Sequence, residues 1–173
     1  MTLEPLTLEG AMAMLRMRQE NRGGMRTEYP INEEDQESWF YHATSRNAPS
    51  RWWQISADEI AVIGSADTLV ESHIIGYCGI EDIKWIARTG EMSLLLDGSD
   101  EEWRAAFDLL LNKAFDELNL KEVHAEVYSC SPDHSRWAEV RKVFKAYRVI
   151  LPMRKYWKGR HYDADYISWR LPV

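Results

Sequence analysis

The chain has 173 residues, 45% of them apolar and 28% charged, with a formal charge of −7 at pH 7, ordinary globular composition at a length that suits one well-packed core. There is no run of about eighteen apolar residues to cross a membrane, and the start, Met1 to Pro5, lacks the basic and apolar regions of a signal peptide. Two cysteines, Cys78 and Cys130, are too few for a disulfide framework, so a reducing, cytoplasmic setting with no membrane partner is expected.

In chain order, Leu8 to Arg18 places Leu8, Ala11, Met12 and Leu15 at helical spacing, and Gly23-Gly24 ends that helix. A second helix starts after Pro30-Ile31-Asn32. Asn32 can cap it, and Glu33, Glu34 and Asp35 sit in its first turn, where the helix dipole favours acids. Trp39, Phe40 and His42 lie on it. Arg51 to Ser56 and Glu59 to Ile63 read as two short strands joined by a turn at Ala57-Asp58, followed by a polar connection from Gly64 to Ser72. His73 to Ile80 and Glu91 to Leu96 read as central strands, linked by Glu81 to Thr89. Cys78 falls in the first of these and reads as a small buried hydrophobe rather than a nucleophile.

The next helix, Glu101 to about Leu118, is the best defined. Ser99 and Glu102 have capping-box spacing, and Trp103, Phe107, Leu110, Leu111, Ala114, Phe115 and Leu118 form one apolar stripe. Lys121 to Tyr128 alternates as a strand, with Val123, Ala125 and Val127 on one face and His124 on the other, read as a surface or sheet-edge residue. A basic helix spans Ser135 to Lys145. No internal repeat or linker divides the chain, so residues 1–173 are expected to form a single domain.

Charge is unevenly spread. Arg136 to Arg160 holds nine basic residues against one acid, Glu139, a net of +8, leaving −15 for the rest. Such asymmetry fits a face that meets a polyanion, and fits equally a basic helix and strand end balanced by acids elsewhere in space. His134 and His161 lack the spacing of a zinc site, so no metal is expected. There is no phosphate-binding Walker loop, dinucleotide fingerprint or nucleophile elbow.

The ordered run from His73 to Leu171, closing on Lys158-Gly159-Arg160-His161-Tyr162-Asp163, resembles the GCN5-related N-acetyltransferase (GNAT) fold. The terminal run is similar to the Gly-x-Tyr-x-Asp hairpin of the ribosomal-protein N-terminal-acetyltransferase branch, offset by a residue. The resemblance covers the N-terminal third by element order alone. It implies an α/β (α+β) fold with a mixed central sheet flanked by helices. It also implies transfer of an acetyl group from acetyl-CoA, as co-substrate, to an amine that attacks the thioester directly. The donor's pantetheine would run along Met92, Ser93, Leu94, Leu95 and Leu96, with Val127 to Ser129 across the gap. Its pyrophosphate would sit on the helix N-terminus at Gly98 and Ser99, near Arg104 and Ser135.

The family's basic, glycine-rich loop is replaced here by Asp97-Gly98-Ser99-Asp100-Glu101-Glu102, with one glycine and four acids. The lead into the basic helix, Pro132-Asp133-His134-Ser135, keeps the serine and lacks the family's asparagine, and Val143-Phe144 stands for its Gly-Phe. Glu139 occupies the place of a leaving-group tyrosine found in some relatives, so Tyr128, Tyr147 or water would protonate the thiolate. Glu81 and Glu91 are the candidate bases. Proximity supplies up to roughly 7–11 kcal/mol in such a reaction, so a sparse set of catalytic groups is compatible with an enzyme. The helix before the central strands would border the acceptor pocket. The acceptor stays open between an amine on a modified nucleobase or other polyanion, a protein N-terminus and a polyamine. So do the acyl chain length and the oligomeric state, a homodimer included. Two other readings are a non-catalytic GNAT-fold binding module and a nucleic-acid-binding domain using residues 136–160.

Overall fold

The computed structural model describes residues 1–26, 29–63 and 67–171, with the backbone alone for 59–63 and 67–71. Strand β1 (Thr2–Pro5) leads into helices α1 (Leu8–Ala13) and α2 (Leu15–Glu20), a 3₁₀ turn at Arg22–Gly24, and α3 (Glu33–Thr44). Strands β2 (Arg51–Ile63), β3 (Asp67–Lys84) and β4 (Thr89–Leu96) follow. Then come α4 (Asp100–Asn112), β5 (Glu122–Tyr128), α5 (His134–Val143), β6 (Tyr147–Trp157) and β7 (Arg160–Arg170). The described residues form one seven-stranded sheet in the order β1-β2-β3-β4-β5-β7-β6. Every neighbouring pair is antiparallel except β4–β5, which is parallel.

Strand alternation divides the burial between two faces. Cys78, Ile80, Met92, Leu94, Val123, Ala125 and Val127 pack with Trp103, Phe107 and Leu110 of α4 and Trp137 of α5. On the opposite face Trp52, Tyr77 and Leu95 pack with Ala11, Met14 and Ala43 of the N-terminal helices. Phe107 is the hub of the first face. It stacks on Trp103 and meets Trp137, Phe144 and Trp169 at ring-centroid distances of 5.1 to 5.9 Å.

The capping residues do what their chemistry demands. Asn32 accepts from the Asp35 amide at 2.8 Å while Asp35 accepts from the Asn32 amide. Ser99 and Glu102 form the same reciprocal box at the head of α4. Gly159, at φ +84, makes the tight β6–β7 turn between Trp157 and Arg160, a conformation that costs glycine least.

Several elements differ from expectation. The N-terminal helix breaks at Met14 into α1 and α2, and the buried residues run Gly10, Ala11, Met14 and Arg18, leaving Leu8, Met12 and Leu15 half-buried. Ala57-Asp58 is no turn: these residues pair with His73 and Ser72 in an unbroken β2, and the irregularity lies at Ile55/Ser56, where the register shifts. The pairing with β1 ends at Ser56 and that with β4 at Gly76, so the rest of β2 and β3, Ala57 to Ile63 against Asp67 to His73, continues as a two-stranded ribbon. Most of the expected polar connection is therefore strand β3, and its first part, 64–66, lies outside the described residues. The helix after Ser99 ends its α-helical stretch at Asn112 and finishes in a π turn, Lys113–Glu117.

Phe107→Ala should lower the unfolding free energy by about 3–5 kcal/mol, measured by denaturant titration, because this wholly buried ring touches four other aromatic residues.

Candidate active site

The parallel β4–β5 ladder has only three register pairs, Thr89↔Glu122, Gly90↔Val123 and Glu91↔His124. Past Glu91 the two strands separate. Each stays tied to its outer neighbour, β4 to β3 as far as Leu96 and β5 to β7 as far as Tyr128. The inner edges from Met92 to Leu95 and from Ala125 to Tyr128 then line a cleft of about 340 Å³. Backbone polar groups facing such a gap need partners from outside the sheet.

Glu81 and Glu91 are directly opposite each other on β3 and β4, and both line the cleft. Ser93 lies two residues along from Glu91, on the same face, and its hydroxyl donates to Glu81 Oε1 at 2.6 Å. Burial pushes the Glu81 carboxyl above the ordinary glutamate range, partly opposed by the Ser93 hydrogen bond. Glu91 has a cation instead: Arg26 Nη2 is 2.5 Å from its Oε1 and 4.0 Å from Glu126 Oε2. Tyr128 is buried on the far wall. Burial raises its phenol, with Glu126 adding to the rise and Arg26 opposing it. Lys155 lies beneath, its Nζ donating to the Met25 carbonyl and standing 5.0 Å from the Tyr128 ring centre.

The structure thus brings Glu81, Glu91, Tyr128, Met92, Ser93, Leu94 and Leu95 together at one cleft. Other residues with expected donor contacts are dispersed. Leu96 borders a separate cavity of about 490 Å³ beside α1 and α2. Arg104 and Ser135 line a third of about 160 Å³ between α4 and α5, with Asp100, Arg136 and Glu139. Gly98 and Ser99 sit at the head of α4, where Glu102 already occupies donors: its Oε2 accepts from the Ser99 amide at 2.8 Å and the Ser99 hydroxyl at 2.9 Å. These bonds hold the Glu102 carboxyl below the usual range. Arg136 is also engaged there, donating to Asp100 Oδ1 at 2.9 Å and the Gly98 carbonyl at 2.8 Å.

Sequence patterns did not single out four lining residues. Arg18, Arg26, Trp52 and Tyr77 line the cleft together with Trp39. Arg18 alone left a signal: it continues the helical spacing of Ala11 and Met14, so a guanidinium falls on a buried stripe. Gly79 allows the aromatic wall to form, since a Cβ there would lie 2.4 Å from the Trp52 ring. His124, expected at the surface or a sheet edge, is half-buried on a central strand, stacked on Tyr166 at 5.0 Å with Nε2 3.9 Å from Glu91.

The basic segment is partly neutralised within the fold. Arg136 pairs with Asp100 and Asp133, Arg148 with Asp165, and Arg154 with Glu126. Among the described residues, no helix is long and apolar enough to cross a membrane, and no cluster of His, Cys, Asp and Glu is arranged to hold a metal.

No curated protein matches the chain in sequence. Solved structures do match in fold. A spermidine N-acetyltransferase variant from Vibrio cholerae superposes with a TM-score of 0.76 at 16% identity, covering 98% of this chain and 95% of that one. The V. cholerae enzyme in complex with CoA and spermine gives 0.76 at 14% identity, with 98% and 94% covered. A dodecameric form from the same organism gives 0.73 at 16%, with 98% and 92% covered. At these identities the likeness is one of fold. The model of the acetyltransferase (GNAT) domain family matches residues 1–140, taking in the N-terminal helices as well as the splayed strands, and the chain belongs to that family.

Proposed function

We propose that the cleft between β4 and β5 transfers an acetyl group from acetyl-CoA to an amine, with residues 1–173 acting as one catalytic domain. The observation that carries this is the half-buried carboxyl of Glu81, held by Ser93 where the parallel strands part. In the proposed reaction Glu81, directly or through a water, takes a proton from the attacking amine. The new N–C bond forms at the acyl carbon as the C–S bond breaks. Tyr128 or a water returns a proton to the departing thiolate, and backbone amides along Met92 to Leu95 polarise the carbonyl. Arg26 neutralises Glu91, giving that carboxylate a positioning role beside the base. Ser99, Gly98, Arg104 and Ser135 would meet the donor's phosphates. The similar fold of the V. cholerae spermidine N-acetyltransferase, one structure of which holds CoA and spermine, supports an amine acceptor and a CoA donor. A polyanion-linked acceptor gains no support from them, and the resemblance to the ribosomal-protein branch rests on the terminal hairpin.

The first experiment is calorimetric titration with acetyl-CoA. Micromolar binding is expected, and no binding at millimolar ligand would defeat the proposal. Glu102→Gln should tighten that binding, most visibly at low salt, because it removes a charge beside the donor's expected phosphate site. An unchanged affinity would place the phosphates elsewhere.

Glu81→Gln should reduce kcat/KM by roughly 100- to 10,000-fold without lowering the melting temperature at neutral pH. The sign follows from the raised carboxyl. Glu81 stabilises the fold fully below its unfolded-chain value, and that contribution is lost as pH rises through the higher folded value. The neutral glutamine has nothing to lose at that step. In the wild type the acid limb of kcat/KM should lie above the ~4.3 of an ordinary glutamate. A limb at or below that value would remove Glu81 as the base.

A further inference from the structure

We propose that the acceptor is a zwitterionic amine with an apolar body, its carboxylate held by Arg18 and its nitrogen directed to Glu81. This rests on the acetyl-transfer reading of the cleft and narrows its acceptor.

Charge matching inside the cleft leads there. Its ionisable walls are Arg18, Arg26, Glu81, Glu91, Glu126 and Asp133, together with the phenols of Tyr77 and Tyr128. Arg26 is taken by Glu91, Glu126 by Arg154 at 3.2 Å, and Asp133 by Arg136 at 3.3 Å. Of these described wall residues, one cation and one carboxyl make no close ion pair: Arg18 and Glu81, which feel each other's charge, while Arg18 also acts on the Tyr77 phenol. An incoming molecule that carries one ammonium and one carboxylate complements both. A polyamine complements Glu81 and brings further positive charge against Arg18.

Arg18 is built as a binding group. It is only 6% exposed. Its Nη1 donates to Gln36 Oε1 at 2.5 Å, and its guanidinium carbon stands 4.6 Å over the Trp39 ring. Gln36 is fixed in turn by donating to the Ala11 carbonyl at 2.6 Å. Nε is buried with no hydrogen-bond partner. A buried guanidinium with an unused donor and no carboxylate in ion-pair contact is costly unless something supplies a closer anion, and its planar fork suits a carboxylate. Trp39, Trp52 and Tyr77, at centroid separations of 5.0 to 5.9 Å, line the same cleft and offer an apolar surface beside these polar groups. The competing account is a strut: Arg18 ties α2 to α3 through Gln36 and has no ligand.

The two accounts part in acceptor selectivity. The wild-type protein would be assayed with acetyl-CoA and apolar amino acids (phenylalanine, leucine, methionine), each against its carboxamide, and against spermidine. Thiol release and the mass of the acylated product are the readouts. We expect kcat/KM at least about tenfold higher for the acid than for its amide, since a buried polar site rejects a ligand that leaves it unpaired. Arg18→Gln should collapse that ratio towards one, mainly through KM for the acid, and Arg18→Lys should retain part of it. A strut would change both acceptors alike and leave the ratio intact. If either variant fails to fold, the wild-type ratio decides alone. Amides or spermidine accepted as well as the acids, a ratio unmoved in Arg18→Gln, or acetyl-CoA binding with no amino acid accepted would each overturn the assignment. Failure to bind acetyl-CoA at all would overturn the transferase reading beneath it.

Discussion

The molecule's capacity for chemistry depends on where the one parallel pairing among the described residues stops. Strands β4 and β5 are held together at Glu91↔His124 and part immediately afterwards, although each continues to pair on its outer side. A sheet divided in this way cannot satisfy its inner backbone groups by itself. It can still keep them in place, because Met92, Leu94, Ala125 and Val127 are locked by side chains packed against α4 and α5. Packing on one face of the sheet thus holds open a polar cleft that the other face completes with Trp52, Tyr77 and Leu95.

Electrostatics then sorts the charges around that cleft. Strong local acidity at the head of α4 satisfies helix donors and leaves Glu102 on the Ser99 amide, which stabilises the helix while competing with any phosphate that seeks the same donors. The excess of basic residues between Arg136 and Arg160 is drawn partly inward, with Arg136, Arg148 and Arg154 each paired to an acid elsewhere in the chain. Linear charge asymmetry by itself is therefore weak evidence for a polyanion-binding face here, since three of the nine basic residues are engaged by acids within the fold.

The parts of the fold legible in the sequence are those whose physics is local. Reciprocal caps at Asn32/Asp35 and Ser99/Glu102, the alternation of Val123, Ala125 and Val127, and the glycine turn at Gly159 all depend on near neighbours in the chain. Ala57-Asp58 misleads because the ribbon there has partners on one side only and needs no core-facing alternation. Ala114 and Leu118 continue the stripe of α4 past its last regular turn because a π turn preserves burial of Ala114 while changing the hydrogen bonding. The cleft was half legible. Glu81 and Tyr128 follow from strand ends and family order, but Arg26 and Trp52 reach the cleft from distant parts of the chain, and no spacing rule connects them to it.

Glu81 and Glu91 show how such distant residues decide function. Two carboxyls opposite each other on adjacent strands disfavour simultaneous ionisation, so by itself the sheet would make them near equivalents. Arg26, 65 residues away in sequence from Glu91, ends that equivalence by placing a guanidinium on one of them. Glu81 is left with a hydroxyl from Ser93 and a half-buried setting that raises its carboxyl. Burial of one carboxyl of such a pair is a way for a site to obtain a proton acceptor raised above the ordinary glutamate range, as at Glu81. In the proposed reaction Glu81 can accept a proton because Glu91 has already been given its counter-ion, and the loop that delivers Arg26 is as much a part of the site as the strands that carry the acids.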